Sequence, residues 1–287
     1  MRNFLLLVLL TLQTLSAQAQ RECGPPKYMR QSLANVIVKG ILLNGLSEMG
    51  YNKDVSIMGT YMPEGEQVGF TTTLNAGTLY AFVGGGDDDV TDLDIYLYNE
   101  RGTEVARDAK ADNSPIVTYT PTTTGRYTVR VKMYSTRTAG SFASMLIMSN
   151  RGYNIPVNTL KSAISDLFSA VETICNNSTK MGYLSTTNQW AMFGCVLEDG
   201  GSTTVSSIKL SGTRRSVIVG GGDQNAFDVD LFLYDAQGNL LKKDEATDAH
   251  PLLIYSASAT PEYQLKMKNA RSGGNRSLIM SAILEVD

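Results

Sequence analysis

The chain has 287 residues, 43% of them apolar, with 25 basic against 28 acidic side chains and a formal net charge of −3. That length holds two domains of ordinary size, each with enough apolar residues for a core. The slightly acidic balance excludes a basic surface for the phosphate backbone of nucleic acid. One histidine and three cysteines leave little from which a zinc centre could be built.

The N-terminus reads as a secretory signal over residues 1–19. Arg2 gives the positive start, Phe4 to Leu12 the short apolar run, and Ala17-Gln18-Ala19 the small-x-small site, with cleavage after Ala19. The run is too short for a membrane span, which needs about 20 residues, and no later run is long enough. Cys23 follows Gln20-Arg21-Glu22, which lacks the small and apolar residues of a lipobox. The expectation is an exported protein, periplasmic or extracellular, without a membrane span. Export permits a disulfide, and three cysteines leave one over. Cys175 and Cys195 are the nearest pair in sequence, and Cys23 is an equally legal partner.

A first amphipathic helix is expected where Leu33, Val36, Ile37, Ile41, Leu42, Leu46 and Met49 recur at three- and four-residue steps, with Gly50 as its stop. The period then switches to two. In Leu93-Asp94-Ile95-Tyr96-Leu97-Tyr98 the aliphatics share one face, and Asp94, Tyr96 and Tyr98 the other. Asn99 to Gly102 is a tight turn, and Ile116–Tyr119, Tyr127–Met133 and Phe142–Met148 continue as strands. A second helix is expected over Leu160, Ile164, Leu167, Phe168, Val171 and Ile174, with Asn158 or Thr159 as its N-cap after Pro156.

The strand region then repeats. Val83-Gly84-Gly85-Gly86-Asp87 returns 136 positions later as Val219-Gly220-Gly221-Gly222-Asp223. At the same offset Asp92 and Asp94 match Asp228 and Asp230, Tyr98 matches Tyr234, Asp108 and Asp112 match Asp244 and Asp248, and Pro115 matches Pro251. Met49-Gly50-Tyr51 returns as Met181-Gly182-Tyr183, four positions out of step. A period this long is a duplicated domain, since solenoid repeats run to roughly 20–50 residues. The expected fold class is mainly β: two tandem antiparallel β-sandwich, jelly-roll-like domains, each preceded by one amphipathic helix. The expected boundaries are 20–150 and 151–287.

The run from Asp92 through Tyr98 to Gly102, with Asp108, Ile116 to Pro121 and Thr124-Gly125-Arg126-Tyr127-Thr128-Val129, resembles the bacterial pre-peptidase C-terminal domain. The second copy carries Asp228 to Gly238 and, more weakly, Pro261 to Met267. The resemblance implies a β-sandwich of secreted proteins, similar in shape to the collagen-binding domains of collagenases. It differs here in that no peptidase is attached and each unit has its own leading helix.

Three places could carry chemistry. Asp87, Asp92 and Asp94, and in the second copy Asp223, Asp228 and Asp230, gather hard oxygen ligands on a loop and its adjoining strand, as calcium requires; the bland reading is turn capping. The triple glycines lack the following helix and the Lys-Ser/Thr pair of a phosphate loop, so close backbone approach explains them better. Tyr98 and Tyr234 offer a ring on the polar face to a sugar or peptide, against a structural role. His250, the chain's only histidine, is matched by Ser114 in the first copy and has no nucleophile or zinc partner nearby in sequence. The expected function is therefore a non-catalytic exported binding protein, with an extracellular or envelope protein or a polysaccharide as partner and calcium as its one candidate cofactor. The alternatives are a secreted hydrolase, carboxylate-based or using His250, and a scaffold subunit of an envelope complex.

Overall fold

The computed structural model describes residues 24–178, 180–183, 189–257 and 262–286. The expected signal segment and Cys23 lie outside the described residues. The fold is mainly β, with antiparallel strand pairing within each unit. The described residues divide into two compact units, those up to Tyr51 with Met62–Asn154, and Asn52–Tyr61 with those from Ile155 onward.

The first unit starts with helix α1 (Gly24–Ser47) and a short strand β1 (Gly50–Tyr51). Strand β2 (Asp54–Pro63) comes next in the chain, but residues 52–61 pack with the second unit. The first unit resumes with β3 (Gln67–Leu74), β4 (Tyr80–Gly86), β5 (Val90–Asn99), β6 (Glu104–Asp108), β7 (Ile116–Tyr119), β8 (Gly125–Thr136) and β9 (Gly140–Ser149). One layer runs β9-β4-β7 with β1 on β9, and the other runs β3-β8-β5-β6. Leu93, Ile95, Leu97, Val129 and Val131 are fully buried between the layers, while Asp94, Tyr96 and Tyr98 alternate onto the other face of β5, as a period of two demands.

The second unit repeats this plan. It comprises α2 (Val157–Asn176), β10 (Met181–Tyr183), β11 (Met192–Glu198), β12 (Ser202–Lys209), β13 (Arg215–Gly222), β14 (Ala226–Asp235), β15 (Leu240–Asp244), β16 (Leu252–Tyr255), β17 (Glu262–Ser272) and β18 (Arg276–Val286). The four-stranded layer is β12-β17-β14-β15. In the other layer β16, β13, β18 and β11 are consecutive neighbours, β10 pairs with β18, and β2 lies antiparallel on β11. Gly194 lets that last pair close up, since a Cβ there would stand 3.0 Å from the Cβ of Ile57.

The registers account for the changing offset between the copies. Gly50 pairs with Ser149 as Gly182 pairs with Glu285, so Met49-Gly50-Tyr51 and Met181-Gly182-Tyr183 are structural equivalents. Gln67 pairs with Lys132 as Ser202 pairs with Lys268, yet Thr72 pairs with Tyr127 as Ile208 pairs with Tyr263. One residue is therefore inserted at the bulge between Val205 and Ile208, where Ser207 takes a positive φ of 61°. A bulge absorbs such an insertion by leaving one residue unpaired.

Several local expectations change. On α1 the buried face is Met29, Ser32, Leu33, Val36, Ile37 and Gly40, whereas Leu46 is 74% exposed. Gly40 takes the central place because a Cβ there would lie 2.4 Å from Leu146. Helix α1 does not stop on Gly50: the left-handed residue after it is Glu48, with φ 55°. Gly50 instead passes close to Gly152, whose carbonyl carbon would stand 2.4 Å from an added Cβ. Helix α2 is capped by Pro156 and not by Asn158 or Thr159, with no side-chain hydrogen bond at its start. Cys175 is disulfide-bonded and Cys195 is a buried free thiol, which rules out the Cys175–Cys195 pair.

Candidate functional site

The triple glycines are where each helix lies on its own sheet. In the first unit a Cβ on Gly85 would come within 3.1 Å of Asn35 Cβ and Val36 Cγ1 of α1, and one on Gly84 within 2.8 Å of Pro115. In the second, a Cβ on Gly221 would stand 2.5 Å from Asp166 Oδ2 of α2, and one on Gly220 2.8 Å from Pro251. Next to them sits the repeated aspartate. Asp87 Oδ1 accepts from the Asp89 amide at 3.0 Å and Oδ2 from the Phe142 amide at 2.7 Å. Asp223 does the same with the amides of Asn225 and Leu278, both at 2.8 Å. Burial pushes the Asp87 carboxyl up, and those two backbone donors oppose the shift. Both residues tie the strand end to its turn.

Asp92 and Asp94 do not join Asp87 in a ligand set. Among the described residues no group of three or more His, Cys, Asp or Glu is placed to hold a metal ion. Asp94 Oδ2 accepts from the Tyr96 hydroxyl at 2.8 Å. Phe232 replaces that tyrosine in the second copy, and Asp230 Oδ2 takes the ammonium of Lys268 at 2.9 Å instead. Asp92 Oδ1 and Asp228 Oδ1 are buried without a hydrogen-bond partner. Desolvation pushes both carboxyls up, helped by Asp94 and Asp112 at Asp92, and by Asp230 at Asp228, where Arg271 and Lys268 oppose it. Asp108, Asp112, Asp244 and Asp248 cap the loop before the proline: their carboxylates accept from the amides of Ile116, Ser114, Leu252 and His250 at 2.8–3.1 Å.

Tyr98 lies in an open cleft of about 410 Å³ on the polar face of the β3-β8-β5-β6 layer. Thr71, Asn99, Glu100, Gly102, Arg126, Thr128 and Arg130 complete the lining. The register places Tyr98 opposite Thr128 and Thr128 opposite Thr71, and the two threonine hydroxyls bond each other at 2.8 Å. The Arg130 guanidinium stands 4.9 Å over the Tyr98 ring, a cation–π contact that holds the cation in place. Arg126 and Arg130 form no ion pair among the described residues. In the second copy Tyr234 stacks on Phe232 at 6.4 Å, and the row Arg126, Thr128, Arg130 is replaced by Glu262, Gln264, Lys266.

Sequence reasoning missed a partner for His250. Its Nε2 lies 2.8 Å from Asp166 Oδ1 on α2, while Asp166 Oδ2 accepts from the Gly222 amide at 3.0 Å. The pair lines a cleft of about 480 Å³ with Ser162, Ser165, Ser169 and Gln224. In the first unit the helix supplies a cation instead. Lys39 Nζ donates to the Gly84 carbonyl at 2.6 Å, and Asn35 Nδ2 to that of Gly86 at 2.7 Å. Burial pushes the Lys39 ammonium down to about 8, and Asp112 opposes the shift. A polar residue at a helical step on α2 was the only signal for Asp166. No helix among the described residues is long and apolar enough to cross a membrane.

No protein-family model matches the chain, and no curated protein sequence matches it. Similar solved structures include PliG of Aeromonas hydrophila, a periplasmic inhibitor of g-type lysozyme. It is 12% identical over 34% of this chain and 87% of that chain, with a TM-score of 0.28. The pre-peptidase C-terminal domain of a Bacillus anthracis collagenase is 11% identical over 34% of this chain and 92% of that one, also at 0.28. Tandem CBM51 modules of a Streptococcus pneumoniae family 98 glycoside hydrolase are 10% identical over 79% of this chain and 83% of that one, at 0.23.

Proposed function

We propose that the chain is an exported, non-catalytic binding protein built from two sandwiches of the pre-peptidase C-terminal type, with residues 1–19 removed on export. The observation that carries the binding reading is the Tyr98 cleft: an open polar concavity on a sheet face, with two arginines that form no ion pair among the described residues. Sites of this kind, a concave surface with a few convergent polar groups, are where small ligands settle. Support for export comes from the Arg2, Phe4–Leu12 and Ala17–Ala19 pattern. The test is capture of polysaccharide or protein from a cell-envelope extract by wild type and by Tyr98→Ala. Capture that disappears with the tyrosine is the expected result, and equal capture by both proteins refutes a role for this face.

A hydrolase using His250 is the second reading, favoured by the Asp166–His250 contact beside three serines. A nucleophile needs a base within hydrogen-bond reach, yet none of those serines bonds the imidazole, whose Nε2 is engaged by Asp166. Screening peptidase, esterase and glycosidase substrates with wild type and His250→Ala decides between them. Turnover that vanishes with His250 would overturn the binding-protein reading.

A further inference from the structure

We propose that the Tyr98 cleft takes an acidic saccharide, with the guanidinium groups of Arg126 and Arg130 gripping its carboxylates and Tyr98 acting as a positioning residue for Arg130. The inference rests on the binding-protein reading and narrows it to a ligand class. Three features of the cleft lead to it.

Charge is the first. The lining holds two guanidinium groups against one carboxylate, Glu100. An unpaired guanidinium presents a planar fork of donors that matches a carboxylate in two parallel hydrogen bonds. The second feature is the state of the tyrosine ring. Arg130 stands over one face at 4.9 Å, so the ring's first role is to fix the arginine, and the ligand meets the cation. The third is the rest of the lining. Thr71, Thr128 and Asn99 supply hydroxyl and amide groups, and no aliphatic side chain lines the cleft. An acidic peptide would also meet the arginines, but the hydroxyls of Thr71 and Thr128 and the amide of Asn99 match the hydroxyls of a sugar. At about 410 Å³ the cleft falls within the roughly 300–1,000 Å³ of small-ligand sites.

The second unit supplies an internal control. Its equivalent row reads Glu262, Gln264, Lys266, and Lys266 stands 5.3 Å over Phe232. A frame that is otherwise repeated has lost both arginines there, and with Glu262 it carries an acid where Arg126 stands. The proposal therefore assigns this ligand to the first unit alone.

The test uses the full protein, trigalacturonate as the acidic probe, its methyl ester as the neutral probe of the same shape, and a glutamate-rich peptide. Isothermal titration is run with wild type, Arg126→Gln, Arg130→Gln, Glu100→Gln and Tyr98→Ala, after far-UV circular dichroism has shown that each variant is folded. Trigalacturonate should bind wild type at least tenfold more tightly than the ester, and more weakly as salt is added. Each arginine variant should lose about tenfold, as for the loss of one charge-assisted pair, with less salt dependence. Glu100→Gln should bind more tightly, and Tyr98→Ala should resemble Arg130→Gln. Equal binding of acid and ester, abolished in Tyr98→Ala but not in the arginine variants, would overturn the acidic ligand and leave the binding reading standing. Binding of the peptide without the saccharide would replace this proposal with a protein partner. Binding of none of the probes refutes the proposal, and the envelope capture with Tyr98→Ala then judges the binding reading by itself.

Discussion

The place where helix meets triple glycine can be compared directly between the two units. The backbone solution is the same: glycines stripped of Cβ so that a helix and a proline can press on the strand, followed by an aspartate whose two oxygens hold two amides. The side chains that bridge helix and loop are opposite in polarity. In the first unit the helix carries a cation, Lys39, with Asp112 of the loop acting on it. In the second the helix carries the acid, Asp166, and the loop carries His250. Duplication has preserved what the fold needs and let the polar contacts diverge, so the repeated residues report on folding and the unrepeated ones on local function.

The shared part should be the most sensitive. Gly86→Ala would place a Cβ 2.3 Å from Val90 Cβ, and Gly222→Ala one 2.3 Å from Ala226 Cβ. Overpacking against a strand that cannot move away costs about 1–3 kcal/mol, and urea denaturation should find both losses near the top of that range. A large loss in one unit and none in the other would break the equivalence. Next come Asp87→Asn and Asp223→Asn. Each removes one of two acceptors from a pair of amides, at a cost of about 1–3 kcal/mol, and again both copies should respond alike.

The divergent part should respond unequally and less. His250→Ala removes an exposed side chain from its aspartate, and surface substitutions of this kind fall within about 0.5 kcal/mol. Asp166→Ala should cost more than His250→Ala, because the Gly222 amide loses its acceptor as well. Denaturant midpoints that rank these two the other way would show that the imidazole, not the amide, is the contact that matters.

The orphaned carboxylates give a pH test. Asp92 and Asp228 have folded-state values raised above those of the unfolded chain. The folded state therefore takes up their protons first. Their contribution to stability grows as the pH falls through the raised value towards the ordinary ~3.9 of aspartate, and is lost as the pH rises through it. Asp92→Asn should accordingly stabilise the protein slightly at pH 7, by less than about 1 kcal/mol, with the gain fading near pH 4. A destabilised variant at pH 7 would mean that the carboxylate is held by something that favours its charge. The smallest expected effect is that of calcium. A ligand of the folded state raises stability by RT ln(1 + [L]/Kd), so a melting temperature that rises in millimolar calcium and falls in chelator would support a cation site at Asp87, Asp92 and Asp94 or at Asp223, Asp228 and Asp230, and identical curves would count against it.

Much of the frame is legible in the sequence because it is periodic or repeated. The alternation of Leu93, Ile95 and Leu97 with Asp94, Tyr96 and Tyr98 gives the layer and its two faces. Gly102 and Gly238, with φ of 74° and 85°, close the turns that their position predicts. What could not be read is tertiary. Gly40 looks like a gap in a helical stripe until Leu146 is beside it. Asp166 and His250 lie 84 positions apart, and nothing local ties a helix residue to a loop residue. The charge of Asp87 and Asp223 is visible in the sequence, but the Phe142 and Leu278 amides that donate to them lie 55 positions away. The cleft itself depends on cross-strand register between Thr71, Thr128 and Tyr98, which brings together segments that are separate in the sequence.

The central claim is that one frame was used twice and that the acidic ligand is held by one copy. Calorimetric stoichiometry of trigalacturonate on the full chain tests it most directly, beside a variant whose second unit carries Glu262→Arg, Gln264→Thr and Lys266→Arg next to its own Tyr234. The account predicts one site per wild-type chain and two in the variant. Two sites in the wild type, or one that survives the loss of Arg126 and Arg130 together, would contradict it.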